Sequence, residues 1–100
     1  MAEPLTSLAV AANAVQALMV QFASLPAADI ALSTIYPGQV RVSLHRDLAD
    51  FEAWRDALGI DPESVSVRDL PEHLSLSAVA PFAGVEVHLK GYGVPIAAQE

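Results

Sequence analysis

The chain contains no cysteine. Disulfides, thiolate nucleophiles and zinc sites of the finger or ribbon type are therefore excluded. Positive charge is nearly as scarce, with five Lys and Arg against twelve Asp and Glu and a formal net charge of −7 at pH 7. The summed field of such a chain repels phosphate, which argues against direct binding to nucleic acid or to an anionic membrane surface. Arg41, Arg46 and Lys90 are the only cations placed to build a local basic patch.

Charge of either sign is missing altogether from Pro4 to Ala28. A secretory leader needs a cationic start, whereas only Glu3 precedes this stretch. A bilayer span needs about 20 consecutive apolar residues. Thr6, Ser7, Asn13, Gln16, Gln21 and Ser24 interrupt the run. The expectation is a cytoplasmic protein without a membrane segment, and heavy Ala usage beside the single lysine, Lys90, suggests a bacterial source.

Apolar material is plentiful, at 53% of 100 residues. That length predicts one α+β domain over 1–100, with 1–4 and 97–100 frayed and a core that buries roughly 60–70% of the unfolded surface. A helix is expected from Leu5 to Ser24, ended by Pro26, with Leu8, Val15 and Phe22 on the face toward a sheet. In the strand that follows Pro37-Gly38, Val40, Val42 and Leu44 alternate with Gln39, Arg41, Ser43 and His45, so one side is dry. A loop over Ile35 to Gln39 keeps the apolar faces of the first two strands together by setting Leu32 opposite Val42 and Ile30 opposite Leu44.

The second helix carries the clearest punctuation. Asp47 is a good N-cap, Gly59 followed by Ile60 and Pro62 makes a C-terminal stop, and Leu48, Phe51, Trp54 and Leu58 form the sheet-facing stripe. Arg55 falls within that stripe, with its stem packed and its guanidinium sent to the rim or to a carboxylate. Val65 and Val67 form a short strand. A turn around Pro81-Phe82 would then place Leu76 opposite Val87, Leu74 opposite Leu89 and Ser75 opposite His88. The predicted order is α-β-β-α-β-β-β, a single antiparallel sheet of four or five strands with two helices packed on one face.

Few residue patterns carry chemistry. Ser43, His45 and Asp47 include the residue types of a hydrolase triad, but Asp47 is required as a cap, and no catalytic residue is assigned. His45, His73 and His88 match no metal-ligand spacing, so neither metal nor cofactor is expected. Lys90-Gly91-Tyr92-Gly93 reads as a strand end in which glycines flank an anchoring tyrosine. Eight carboxylates crowd the segment from Asp47 to Glu72 against Arg55 and Arg68, a solvated acidic face or a surface for a basic partner.

Two functional readings follow. The first is a small non-enzymatic interaction or accessory protein that forms a homo-oligomer, most simply a dimer, through Ala9, Val10, Asn13, Gln16, Ala17 and Val20 of the first helix, with another protein as a further partner class. The second is a small-ligand-binding protein or enzyme that uses Arg41, Ser43, His45, Glu86, His88 and Lys90 on the wet face of the sheet. Ligand face and helix face lie on opposite layers of the expected fold.

Overall fold

The computed structural model describes residues 4–69, 71 and 74–93. The expected fraying of 1–3 and 97–100 and the position of His73 fall outside these residues, while Pro4 is exposed. A 3₁₀ turn over Leu5–Leu8 leads into helix α1, Ala9–Gln21. Strands β1 (Asp29–Leu32) and β2 (Gln39–Leu44) follow, then helix α2 (Leu48–Ala57), a second 3₁₀ turn (Pro62–Ser64), and strands β3 (Ser66–Asp69), β4 (Leu74–Phe82) and β5 (Val85–Gly93). The predicted α+β order of helices and strands is the observed one. No described helix is long and apolar enough to cross a membrane.

The sheet has five strands in the order β1-β2-β5-β4-β3. It is mixed rather than antiparallel, because β2 and β5 pair in parallel while the other three pairings are antiparallel. The reason lies in α2. A helical crossover returns the chain to the end of the sheet where β2 began, so β3 runs with β2; β4 and β5 each reverse once, and β5 again runs with β2. Period-two alternation reports which face a residue takes but carries no strand direction.

The predicted faces are correct. Val40, Val42, Leu44, Val85, Val87 and Leu89 are all buried, while Arg41, Glu86 and Lys90 are exposed on the other side and Gln39 and Ser43 are half-buried there. The registers differ from expectation by even steps, which preserve the faces. Ile30 pairs with Val42 and Leu32 with Val40, a slip of two. On the C-terminal side Leu76 pairs with Gly91, Ala78 with Leu89 and Ala80 with Val87, a slip of four, so Val79 rather than Ser75 opposes His88.

That second slip has a local cause. The β4–β5 turn is Ala83-Gly84, with φ of 49° and 83°, the positive pair that a two-residue type I′ hairpin demands. Pro81 therefore sits inside β4 opposite Glu86 instead of opening the turn. It is tolerated because β3 covers β4 only from Leu74 to Ser77, leaving no neighbour on that side to need its missing N–H.

Helix α1 is rotated from its expected setting. Ala11, Ala14 and Leu18 are buried against the sheet, and Leu8, Val15 and Phe22 are only half-buried beside them. Two alanines on the contact line let the backbone settle close to the strands, which the larger Leu8 and Val15 do not allow. The helix ends at Gln21, earlier than Ser24, because Phe22 leaves helical geometry at φ −123°, ψ 45° while its N–H still donates to Leu18. Its ring then meets Phe82, with centroids 6.0 Å apart.

Helix α2 is bounded as its sequence predicts. Asp47 caps it by accepting from the Ala49 N–H at 2.9 Å. At the other end Ile60 N–H donates to Arg55 O and Gly59 N–H to Asp56 O, each at 3.1 Å, and Gly59 takes φ +70°, the paired bonds of a Schellman stop. Arg55 answers from the side chain, donating through Nη1 to the Ile60 carbonyl and through Nε and Nη2 to Glu52. That bond from Arg55 holds the Glu52 carboxyl below its ordinary range. Trp54 Nε1 donates to Pro26 O at 2.9 Å and so ties α2 to the segment that leaves α1.

The helix reaches the sheet through two glycines. A Cβ placed on Gly91 would lie 2.8 Å from Phe51 Cβ, and one on Gly93 would collide with Leu48. Phe51 is 0% exposed as a result. Four substitutions test this packing and its ends. By urea unfolding, Phe51→Ala should lose about 3–5 kcal/mol through its cavity, and Gly91→Ala about 1–3 kcal/mol through overpacking; an unchanged midpoint in Gly91→Ala would remove the close contact. Ala83→Asn should raise stability by about 0.5–1 kcal/mol, since Asn enters the left-handed region more readily than Ala; a loss of stability would mean that the turn has another shape.

The fourth concerns acid. Because the folded-state pKa of Glu52 is depressed, its contribution is full above the unfolded carboxylate pKa of about 4.3 and is lost as pH falls through the folded value. Glu52→Gln should therefore be less stable than the parent near pH 7, with the gap closing as pH falls below the ordinary carboxylate range. An equal gap at both ends would show that the Glu52 charge does not hold Arg55.

Candidate functional site

The outer face of the sheet gathers the six polar residues that the sequence singles out. Parallel in-register pairing sets Gln39 beside Glu86, Arg41 beside His88 and Ser43 beside Lys90. Residues two apart on a strand lie about 6.5–7 Å from each other and paired neighbours about 4.8 Å, so Arg41, Ser43, Lys90 and His88 mark the corners of a small rectangle. A shallow depression of about 580 Å³ opens over it, lined also by Tyr36, Gln39 and Tyr92.

The flanking rings and carboxylates are already engaged. The Arg41 guanidinium carbon lies 5.6 Å from the centre of the Tyr36 ring, a cation–π contact that leans the side chain toward the β1–β2 loop. At the other end His45 stacks on Tyr92, with centroids 5.0 Å apart and rings parallel to within 1°. His45 Nε2 is 3.7 Å from Asp29 on β1, and His88 Nε2 is 3.3 Å from Glu86. Each carboxylate of this face thus stands against an imidazole.

Neither Arg41 nor Lys90 makes an ion pair among the described residues. The two cations next to or within α2 are committed elsewhere. Arg46 grips the buried Asp50 through Nε and Nη2 at 3.1 and 3.0 Å, and this bond raises its own pKa. Arg55 holds Glu52. The third candidate for a basic patch, Arg46, is therefore not part of the outer face.

The hydrolase residue set does not assemble. Asp47 caps α2, His45 turns to Asp29 instead, and among the described residues no hydrogen bond links Ser43 to His45. No group of three His, Asp or Glu with metal-binding geometry occurs among the described residues. Tyr92, Tyr36, Gln39 and Asp29 complete the face; the sequence places Gln39 on the wet side and Tyr92 as a strand-end anchor but assigns none of the four to the ligand face. Tyr92 was accessible to the same reasoning, since it continues the parity of Glu86, His88 and Lys90; Tyr36 lies in a loop, where parity says nothing.

The second surface is the outer side of α1. Ala9, Val10, Asn13, Gln16 and Val20 are exposed and Ala17 is half-buried. Val20 is 77% exposed, Met19 60% and Val10 54%, so a helix buried on one side shows aliphatic surface on the others. Val10 also reaches the β4–β5 turn beside Gly84. Below Met19 an apolar groove runs between Leu18, Phe22, Pro26, Ile30 and Trp54. The chain matches no protein-family model, no curated protein and no solved structure.

Proposed function

We propose that this protein is a small non-enzymatic interaction or accessory protein of the cytoplasm that self-associates through the outer side of α1. The observation that carries the reading is the exposure of Val10, Met19 and Val20 on a helix whose surroundings from Pro4 to Ala28 contain no charged residue. Aliphatic side chains exposed on a helix with no charged neighbour are what a partner helix would cover. Ala9 and Ala17 let a second helix approach closely, and Asn13 and Gln16 stand where they can hydrogen-bond across the contact. A two-fold axis needs only one self-complementary patch, so a dimer is the simplest closed assembly.

A second reading, a small-ligand site on the outer sheet face, is supported by the convergence of Arg41, Ser43, His88 and Lys90 around one depression. It is compatible with the first, because the helices and the depression lie on opposite layers.

Association is tested by sedimentation of the parent chain and of Ala17→Lys and Val20→Lys. The parent should be dimeric at high micromolar concentration. Each lysine, forced into apolar surroundings, should weaken the dimer by at least about tenfold, with thermal unfolding of the monomer unchanged. A monomeric parent ends the proposal; a dimer that survives both lysines places the interface on another surface.

A further inference from the structure

We propose that the depression between β2 and β5 binds a small phosphate monoester, with Arg41, Ser43 and Lys90 as its donors. This rests on the ligand-site reading and adds the chemical class. Paired strands bring three different donor groups to the corners of one rectangle, a guanidinium, a hydroxyl and an ammonium, while the His88 imidazole at the fourth is turned to Glu86. A carboxylate is satisfied by the two parallel bonds of one arginine fork. Donors at three corners suit a group with three terminal oxygens, and two cations suit a charge near −2 at neutral pH.

The distribution of charge favours the same ligand. On a chain of net charge −7, Arg41 and Lys90 stand next to each other's strand partners without a carboxylate of their own among the described residues. Asp29 and Glu86, the acids of this face, are drawn to His45 and His88. Arg41 is held over Tyr36, which fixes one donor before any ligand arrives and puts a flat ring at the rim. The volume of about 580 Å³ falls in the range of small-molecule sites, roughly 300–1,000 Å³. A nucleic-acid backbone is disfavoured, because the net charge of −7 repels a long polyanion while one phosphate meets chiefly Arg41 and Lys90.

The experiment is titration of the isotope-labelled full chain with phenyl phosphate, followed by amide NMR shifts, with benzoate and phenol titrated in parallel. Phenyl phosphate should move the amides of Arg41, Ser43, His88 and Lys90 and saturate. Arg41→Gln and Lys90→Gln, both at exposed positions, should each weaken binding roughly tenfold while leaving the thermal midpoint of the parent. If benzoate saturates the same amides and phenyl phosphate does not, the phosphate class is wrong although the site stands. If neither anion moves them, or phenol moves them equally, the ligand-site reading falls as well. Binding that survives both glutamine substitutions also overturns the proposal.

Discussion

Phe51 stands on Gly91 with no room for a side chain between them, and the rest of the fold is arranged around that contact. Because β5 has no Cβ at Gly91, α2 settles onto the strand that lies at the centre of the sheet, between β2 and β4. The same approach closes Leu48 over Gly93 and carries Trp54 to the carbonyl of Pro26. Both ends of α2 are fixed independently, by Asp47 at the start and by the Gly59 turn with Arg55 at the end. A helix with two firm ends and one close contact leaves little freedom in how it crosses the sheet.

This packing divides the molecule into two chemically different sides. The helical side takes the carboxylates of α2 together with the arginines that answer them, Arg46 to Asp50 and Arg55 to Glu52. Among the described residues the outer side keeps Arg41 and Lys90 free of carboxylate partners. Exposed ion pairs contribute little to stability, so the cost of leaving two cations unpaired on this face is small. What the arrangement changes is the local field, which is more positive at the depression than the net charge of the chain suggests.

Much of this was legible in the sequence, for reasons that differ by element. The caps of α2 are local chemistry, and Asp47, Gly59 and Ile60 do what such residues do at helix ends. The faces of β2 and β5 are parity, and parity survives even slips of register, which is why Val42 and Leu89 are buried although Val42 meets Ile30 and Leu89 meets Ala78 rather than the expected partners. Strand direction is not local at all. It depends on the side from which α2 returns the chain, and no residue in β2 or β5 encodes that. Gly91 and Gly93 read as a strand end flanking an anchoring Tyr92, whereas their role is the space they leave for Phe51 and Leu48. The setting of α1 followed the largest side chains in the sequence, while the structure follows the smallest, Ala11 and Ala14.

The two pairings of β5 differ in what they ask of an unfolded chain. The β4–β5 hairpin is closed by Ala83 and Gly84 alone, so its nine pairs zip from neighbouring residues at little loop entropy. Pairing Val40 with Val87 must instead gather the whole of α2, β3 and β4 into one loop. Local hairpins of this kind form in about 1–10 μs, whereas distant parallel pairs form late because their entropy is lost before their contacts are gained. The central seam of the finished sheet is therefore expected to be the last to close in time. Until it closes, β5 presents an open strand edge and Gly91 has no helix above it, which makes the moment before that step the one at which two chains can pair wrongly.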